Sequence, residues 1–345
     1  MAGTIFGLPF DEEIFFNQWN EEPDPYYTAM LESGILVEDE LIKSKIAKES
    51  NYYTIPFYDT LDGEEQNYDG RTDIDTSEIT GATQSGIVYG RAKGFVARNF
   101  QGELSGADPM GHIISGVAKF WQKKRQKRLI GITDAIFGIT GGSKNQKAWR
   151  EKHTLDFTSD TASARKIEVT DLNDLATEAC GDHKDQFGLA IMHSDVARTL
   201  ENKQLLEFWK YTDANGVKKP LNLASISGYT VIIDDGVPCV SVGGSGANKD
   251  LKKYTTYLFG RGTLRTAKGR LDVPVEAHRN PSKNGGQDEL FTRIRETIHP
   301  NGFNFTIPKS GWTDSPTDAQ LFDSANWDIV FDPKAIPIAR LITNG

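Results

Sequence analysis

The hydrophobic positions of this chain change period along its length, and the changes mark out its elements. Tyr26 to Ser33 is spaced as one short helix, with Gly34 just past its end and Pro23 and Pro25 favouring extended backbone before it. Ile35 to Ala47 is mixed, and the first fifty residues read as an arm without a core of its own. Tyr52 to Tyr58 alternates, placing Tyr53, Ile55 and Phe57 on one face of a strand. Gln84 to Phe100, with Ile87, Val88, Tyr89, Phe95 and Val96, is its partner arm, so 51–100 reads as a long hairpin with Asp59 to Gly81 as a polar tip. From Asp108 the period becomes helical: Met110, Ile113, Ile114, Val117 and Trp121, then Ile132 and Ile136, form one stripe. Ser105 or Asp108 can cap this helix, Pro109 suits its first position, and Gly138 with Gly141-Gly142 ends it. A helix from Asp108 to Phe137 is roughly 45 Å long at ~1.5 Å per residue, well beyond the average of ~11 residues.

The remainder mixes short helices and strands, which makes the chain α+β. Asp171 to Cys180 has helical spacing, Gly188 to Met192 is a buried strand, and Ser194 with Asp195 opens a helix from Val196 to Leu200. Tyr229 to Ile233 is a strand ending in the turn Asp234-Asp235-Gly236, and Gly243 to Asn248 is a loop. Tyr254 to Phe259 is a strand closed by Gly260-Arg261-Gly262. Leu290 to Ile298 is a long half-buried strand that turns at His299-Pro300-Asn301-Gly302 into Phe303 to Ile307. Pro316 to Ala325 reads as a helix, and Ile329 to Phe331 and Ile336 to Leu341 as closing strands. Gly141-Gly142-Ser143-Lys144 reads as a flexible helix exit.

Composition narrows the function. The 345 residues carry 39 Lys and Arg against 48 Asp and Glu, a net charge of −9, which argues against a globally basic nucleic-acid binder but not against a local basic face. Two cysteines, Cys180 and Cys239, cannot build a disulfide framework and fit a reducing compartment. The acidic start lacks the basic region of a signal peptide, and the best apolar stretch, Leu129 to Ile139, is short and broken by Asp134, so no membrane span is expected. None of the six histidines stands at metal-ligand spacing from a second ligand pair. Gly141 to Lys144 lacks the phosphate-loop frame, and Gly260-Arg261-Gly262 lacks the third glycine of a dinucleotide fingerprint. The acid pairs Asp73 with Asp75 and Asp234 with Asp235 lie in turns. Together these absences predict no catalytic residue, no metal and no cofactor, and favour a structural protein over an α/β enzyme using Asp234 or His193.

The order of parts points to an assembly. Ordering backbone costs ~1–2 kcal/mol per residue, so about 50 residues of arm and hairpin with little internal burial require roughly 50–100 kcal/mol from elsewhere. The expectation is that sister copies supply it. At this point the sequence resembles the major capsid proteins of tailed bacteriophages, whose fold is shared with encapsulin shells and the floor of herpesvirus capsids. The resemblance covers almost the whole chain and lies in the order and spacing of its parts. They are Asn51-Tyr52-Tyr53-Thr54-Ile55-Pro56-Phe57, Ser105-Gly106-Ala107-Asp108-Pro109 with Phe120-Trp121, Met192-His193-Ser194-Asp195-Val196, Tyr229 to Asp235, Tyr254 to Gly262, Ala325-Asn326-Trp327 and Ile336-Pro337-Ile338. It implies an N-terminal arm at 1–50, an extended hairpin loop at 51–100, a peripheral domain at 101–165 and 281–315 with a long spine helix, and an axial domain at 166–280 and 316–345 whose tip loops meet around the capsomer axis.

The function so implied is a shell subunit forming pentamers and hexamers of an icosahedral head that encloses double-stranded DNA, located in the virion and, during assembly, in the host cytoplasm. An encapsulin-like compartment is the alternative. The implied partners are other copies, a separate scaffolding protein, a portal protein, optional decoration proteins, and DNA by non-specific contact. Three surface features become candidates. The hairpin tip (Glu64, Glu65, Asp69, Arg71, Asp73) is acidic: residues 51–80 hold Asp59, Asp62, Glu64, Glu65, Asp69, Asp73, Asp75 and Glu78 against the single base Arg71. The spine is basic through Lys119, Lys123, Lys124, Arg125, Lys127 and Arg128, and is a candidate docking surface for a neighbour's tip or a face toward DNA. The third is the axial-domain turn Asp234, Asp235 and Gly236. Some relatives crosslink covalently through a lysine of the extended loop; residues 51–92 contain no lysine, so no such crosslink is expected. A hairpin starting near residue 52 leaves no room for a fused scaffolding segment, so no large N-terminal cleavage is expected either.

Overall fold

The computed structural model describes the chain except residues 1–2, 6–7, 11–13, 18–23, 47–50, 59–63, 72, 74–75, 77, 80, 101–108, 159–164, 204–206, 213–217, 227, 242–250, 309–310 and 312. The expected caps Ser105 and Asp108 and the loop Gly243 to Asn248 fall outside the described residues. So do the tip acids Asp59, Asp62 and Asp75.

The chain begins with a small antiparallel pair, β1 (Gly3–Ile5) and β2 (Leu8–Phe10). In α1 (Pro25–Glu32) the Asp24 carboxylate caps the first turn by accepting from the Tyr27 N–H at 3.2 Å, and Gly34 at φ 74° releases the chain. β3 (Leu36–Glu38) and α2 (Glu40–Ile46) occupy the segment whose pattern is mixed. β4 (Tyr52–Tyr58) and β5 (Gly81–Ile87) form the hairpin, with Tyr52 opposite Ile87 and Tyr58 opposite Gly81. The second arm then divides at Val88. β6 (Tyr89–Arg98) leaves the hairpin and pairs along its length with residues 287–296. The single arm expected from Gln84 to Phe100 is thus two strands in two sheets.

α3 (Pro109–Phe137) is the expected spine, 29 residues long. Its stop at Gly138 is followed by α4 (Lys144–Lys152), where a flexible exit is expected from the glycines. Ser143 Oγ accepts from the Gln146 N–H at 3.2 Å, and Gln146 Oε1 accepts from the Ser143 N–H at 3.0 Å. This reciprocal cap starts a helix whose Trp149 is fully buried and stacks on Phe137 at 5.2 Å. Next come β7 (Thr154–Asp156), α5 (Val169–Cys180), β8 (Phe187–Met192), α6 (Ser194–Asn202), β9 (Glu207–Thr212), β10 (Lys218–Ile226), β11 (Tyr229–Ile233), β12 (Cys239–Ser241) and β13 (Lys252–Gly260). They are followed by β14 (Leu264–Lys268), β15 (Val275–Asn280), β16 (Gln287–Pro300) and β17 (Phe303–Phe305). The helix expected from Pro316 to Ala325 is a single turn, α7 (Asp318–Leu321), because Asp323 accepts from the Ala325 N–H at 3.0 Å and starts a separate 3₁₀ turn. β18 (Trp327–Ile329) and β19 (Ile338–Thr343) close the chain.

Two sheets organise these elements. The eight-stranded sheet runs β7-β19-β13-β8-β11-β10-β9, with β12 added to β13. The five-stranded sheet is built on β16, which pairs with β15, β14 and β6, while β3 pairs in parallel with β14. The sheets therefore interleave across the boundaries expected at 165/166 and 280/281: β7 lies in the first sheet, and β14 and β15 lie in the second. Strand alternation divides the core. Leu189, Ile191, Tyr257 and Phe259 face the spine, whereas Ala190, Met192 and Leu258 face α5 and α6. The spine packs Met110, Val117 and Trp121 with Ala97, Val275 and Leu290 of the five-stranded sheet, and Leu129, Ile132 and Ile136 into the core shared with the eight-stranded sheet. Its length, ~1.5 Å per residue, is what lets one helix serve both.

The arm is less dependent on other copies than its composition suggests. Met30, Ile35 and Leu36 enter the central core, and Ile42 and Ile46 pack with Tyr53, Val88 and Ala267. All five arm residues are 0–2% exposed. Residues 24–46 and the hairpin base are thus ordered by this chain's own body, which reduces the backbone cost left to neighbours.

Candidate functional site

The hairpin has an anchored base and an exposed tip. At the base, Arg295 donates from Nη2 to Asn51 Oδ1 at 2.9 Å, and Asn51 Nδ2 donates to the Asp314 carbonyl at 2.6 Å. Thr297 Oγ1 donates to the Ile87 carbonyl at 2.7 Å, and the Ser85 N–H donates to Asn304 Oδ1 at 2.7 Å. Tyr53 is buried with its ring over Gly86, where any Cβ would collide with it. Phe57 meets Phe331 edge-on at 4.7 Å. The alternating face expected from Tyr53, Ile55 and Phe57 is therefore the face that docks. At the tip, Glu64, Glu65, Asp69, Arg71 and Asp73 are all exposed.

The basic spine cluster does not act as one patch. Lys119, Lys123, Lys124 and Lys127 are exposed, and the first, second and last follow i, i+4, i+8 spacing along one face. Arg125 and Arg128 point the other way, with side chains 19% and 3% exposed. Arg125 Nε lies 3.0 Å from Glu296 Oε2, and Arg128 Nη1 lies 3.7 Å from Glu296 Oε1. Arg128 Nε and Arg91 Nη2 meet Asp318 Oδ1 at 3.0 and 2.7 Å, and Arg125 Nη1 reaches Asp24 Oδ2 at 3.9 Å. Tyr89 OH donates to Glu296 at 3.3 Å, between the guanidinium groups of Arg91 and Arg128 at 5.3 and 5.2 Å from its ring centre. Burial, then the Glu296 charge, hold the Tyr89 phenol well above its ordinary pKa. Burial pushes the Asp318 carboxyl up, but Arg91 and Arg128 more than offset it and leave it below the usual range. This network joins the arm, β6, the spine, β16 and α7.

The turn Asp234-Asp235-Gly236 is not a free loop tip. Asp234 is 8% exposed, accepts from Gln126 Nε2 of the spine at 2.6 Å, and closes the turn by accepting from the Gly236 N–H at 2.8 Å. Asp235 is exposed, and its Oδ1 accepts from the Ser194 N–H at 3.1 Å. Hydrogen bonding from Ser194 holds the Asp235 carboxyl below its ordinary pKa. The turn thus fastens the eight-stranded sheet to the spine. His193, rather than Ser194, caps α6: its Nδ1 accepts from the Asp195 N–H at 3.1 Å. Among the described residues, no group of three or more His, Cys, Asp or Glu is placed to hold a metal, and no helix is long and apolar enough to cross a membrane.

No protein-family model matches the chain. Over 327 residues, 94% of this chain and 94% of the relative, it is 28% identical to the major capsid protein of Bacillus phage SPP1. Its fold is similar to the capsid of Ralstonia phage GP4, with a TM-score of 0.54 at 11% identity over 91% of this chain and 90% of that one. It is also similar to a capsid chain of cyanophage Pam1, with a TM-score of 0.52 at 9% identity over 87% of each. In sequence, and separately in fold, the chain is similar over nearly its whole length to these phage capsid proteins.

Proposed function

We propose that the chain is the structural major capsid protein of a tailed phage, self-assembling as pentamers and hexamers into an icosahedral shell around packaged double-stranded DNA. The observation that carries this reading is similarity to a phage major capsid protein across 94% of both chains, on a capsid fold. The protein is a structural component of the virion and not an enzyme. The hairpin supports the reading: its base is built into this chain's body, and its tip is acidic surface beyond it. In the shell the tip meets a neighbouring subunit, and the spine lysines face either that tip or DNA. The five-stranded sheet with the first part of α3 serves as the peripheral domain, and the eight-stranded sheet with α5 and α6 as the axial domain. Assembly takes place in the host cytoplasm with a separate scaffolding protein and a portal.

Negative-stain microscopy of the chain expressed alone and with its scaffolding protein tests this. Closed shells are the expected result, DNA-filled when portal and packaging proteins are supplied. Monomers of 38.3 kDa that never assemble under either condition would overturn it, and shells that load a cargo protein instead of DNA would reassign the content.

A further inference from the structure

The hairpin tip carries apolar surface as well as charge. Tyr68 is 86% exposed, with Tyr58 and Ile79 at 82% and 62%. Tyr68 sits at a turn in which Asp69 Oδ1 accepts from the Arg71 N–H at 2.8 Å and Gly70 adopts φ 71°. That turn leaves the ring in solvent next to Asp69 in the chain, with Glu65 and Glu64 three and four residues earlier and likewise exposed. An exposed aromatic flanked by carboxylates fits a surface that offers apolar walls and an unneutralised cation.

One groove has both. It has a volume of about 540 Å³ and is lined by Val37, Leu41, Arg261, Arg265, Asn301 and Pro337 among others. Val37 and Leu41 are 42% and 63% exposed. Arg265 is matched by Asp39 at 3.2 Å. Arg261 is exposed and has no carboxylate partner among the described residues. The spine lysines are the rival surface. Among the described residues no strongly exposed large apolar side chain stands on that helix, where Lys124 lies over the half-buried Phe120 ring at 5.5 Å, and exposed charge pairs alone hold two surfaces weakly.

We infer that this groove receives the hairpin tip of a second copy of the chain, Tyr68 seating between Val37 and Leu41 and the tip carboxylates facing Arg261. This rests on the shell reading, because the second tip is supplied by assembly. Cys180 is buried and Cys239 exposed, so the test uses a Cys239→Ser background. Shells carrying Tyr68→Cys with Leu41→Cys are oxidised and run on a non-reducing gel beside shells carrying Tyr68→Cys with Lys123→Cys. A ladder of linked subunits from the first pair is expected. Intact shells without that ladder, or a ladder from the second pair alone, overturn the groove and leave the shell reading standing. Failure of the unaltered chain to form shells defeats the shell reading itself. If the cysteine variants do not assemble, charge exchange decides: Arg261→Glu is expected to lower shell yield by about tenfold, and Glu64→Arg with Glu65→Arg to restore it. No loss, or a loss without restoration, overturns the inference.

Discussion

Arg125 and Arg128 stand on the same helix as Lys123, Lys124 and Lys127, carry the same charge, and do different work. The arginines turn inward, where Glu296 and Asp318 compensate them and Tyr89 and Tyr27 flank their planes. The lysines turn outward and have no carboxylate on this chain among the described residues. A guanidinium can be buried because its planar fork satisfies two acceptors at once, whereas an ammonium is strongly hydrated and resists the transfer. The charge of a sequence segment therefore says little until the helix face is known. One half of this cluster holds the subunit together, and the other half is left for whatever lies outside it.

The comparison breaks most sharply at Glu296. Glu296→Gln keeps the shape but leaves two inward guanidinium groups short of a carboxylate, and should cost the unassembled subunit about 3–5 kcal/mol, read from the urea midpoint. A loss no larger than that of a surface change would show that the network is incidental. Next come the buried neutral histidines. His153 and His299 are 0% and 2% exposed, with ring nitrogens 2.8 Å from the Ile338 and Phe303 carbonyls. Burial lowers each to a pKa of about 4. Because the unfolded chain binds these protons first, their stabilisation is complete above about pH 6.5 and is lost as pH falls toward 4, by about 3 kcal/mol each. Urea midpoints that stay flat between pH 7 and pH 4.5 would contradict this.

A smaller effect is expected from Arg125→Lys, which keeps the charge but loses the fork to Glu296 and the contact with Tyr27. It should cost about 1–2 kcal/mol and speed limited proteolysis within residues 24–46, since Asp24 and Tyr27 anchor that segment to the spine. The smallest effect belongs to Lys123→Glu with Lys127→Glu. Subunit stability should move by less than about 0.5 kcal/mol, so any defect must be seen in assembled particles, as altered shell yield or DNA filling. A large loss in the isolated subunit would erase the distinction between the two faces.

Much of this architecture is legible in the sequence where local chemistry decides it. Pro109 and Gly138 bracket the spine, and Tyr53, Ile55 and Phe57 identify the docking face of the hairpin. The Ser143–Gln146 reciprocal cap is legible as well, but the neighbouring glycines draw attention away from it. What stays hidden depends on partners distant in the chain. Nothing near Arg128 reveals that Glu296 and Asp318 will face it, and nothing in Asp234-Asp235-Gly236 reveals that Gln126 will bind the first acid. The break at Val88 is hidden for the same reason: β5 and β6 look continuous until β16 takes the second away. The arm looks extended because its apolar residues follow no sustained period and Pro23 and Pro25 interrupt it, yet Met30, Ile35 and Ile42 are enough once a core built by other segments receives them.

The pairing of β6 with β16 also sets a timetable. Tyr89 lies opposite Glu296 and Arg98 opposite Gln287, so the ribosome must add about 200 residues before this strand meets its mate. At ~5–20 residues per second that is roughly 10–40 s, during which the backbone of residues 89–98 stays an open strand edge toward its missing mate. Newly made chains are therefore most vulnerable to clumping midway through synthesis, and a chaperone that shields residues 89–98 over that interval should raise the yield of usable subunits more than one that acts after release.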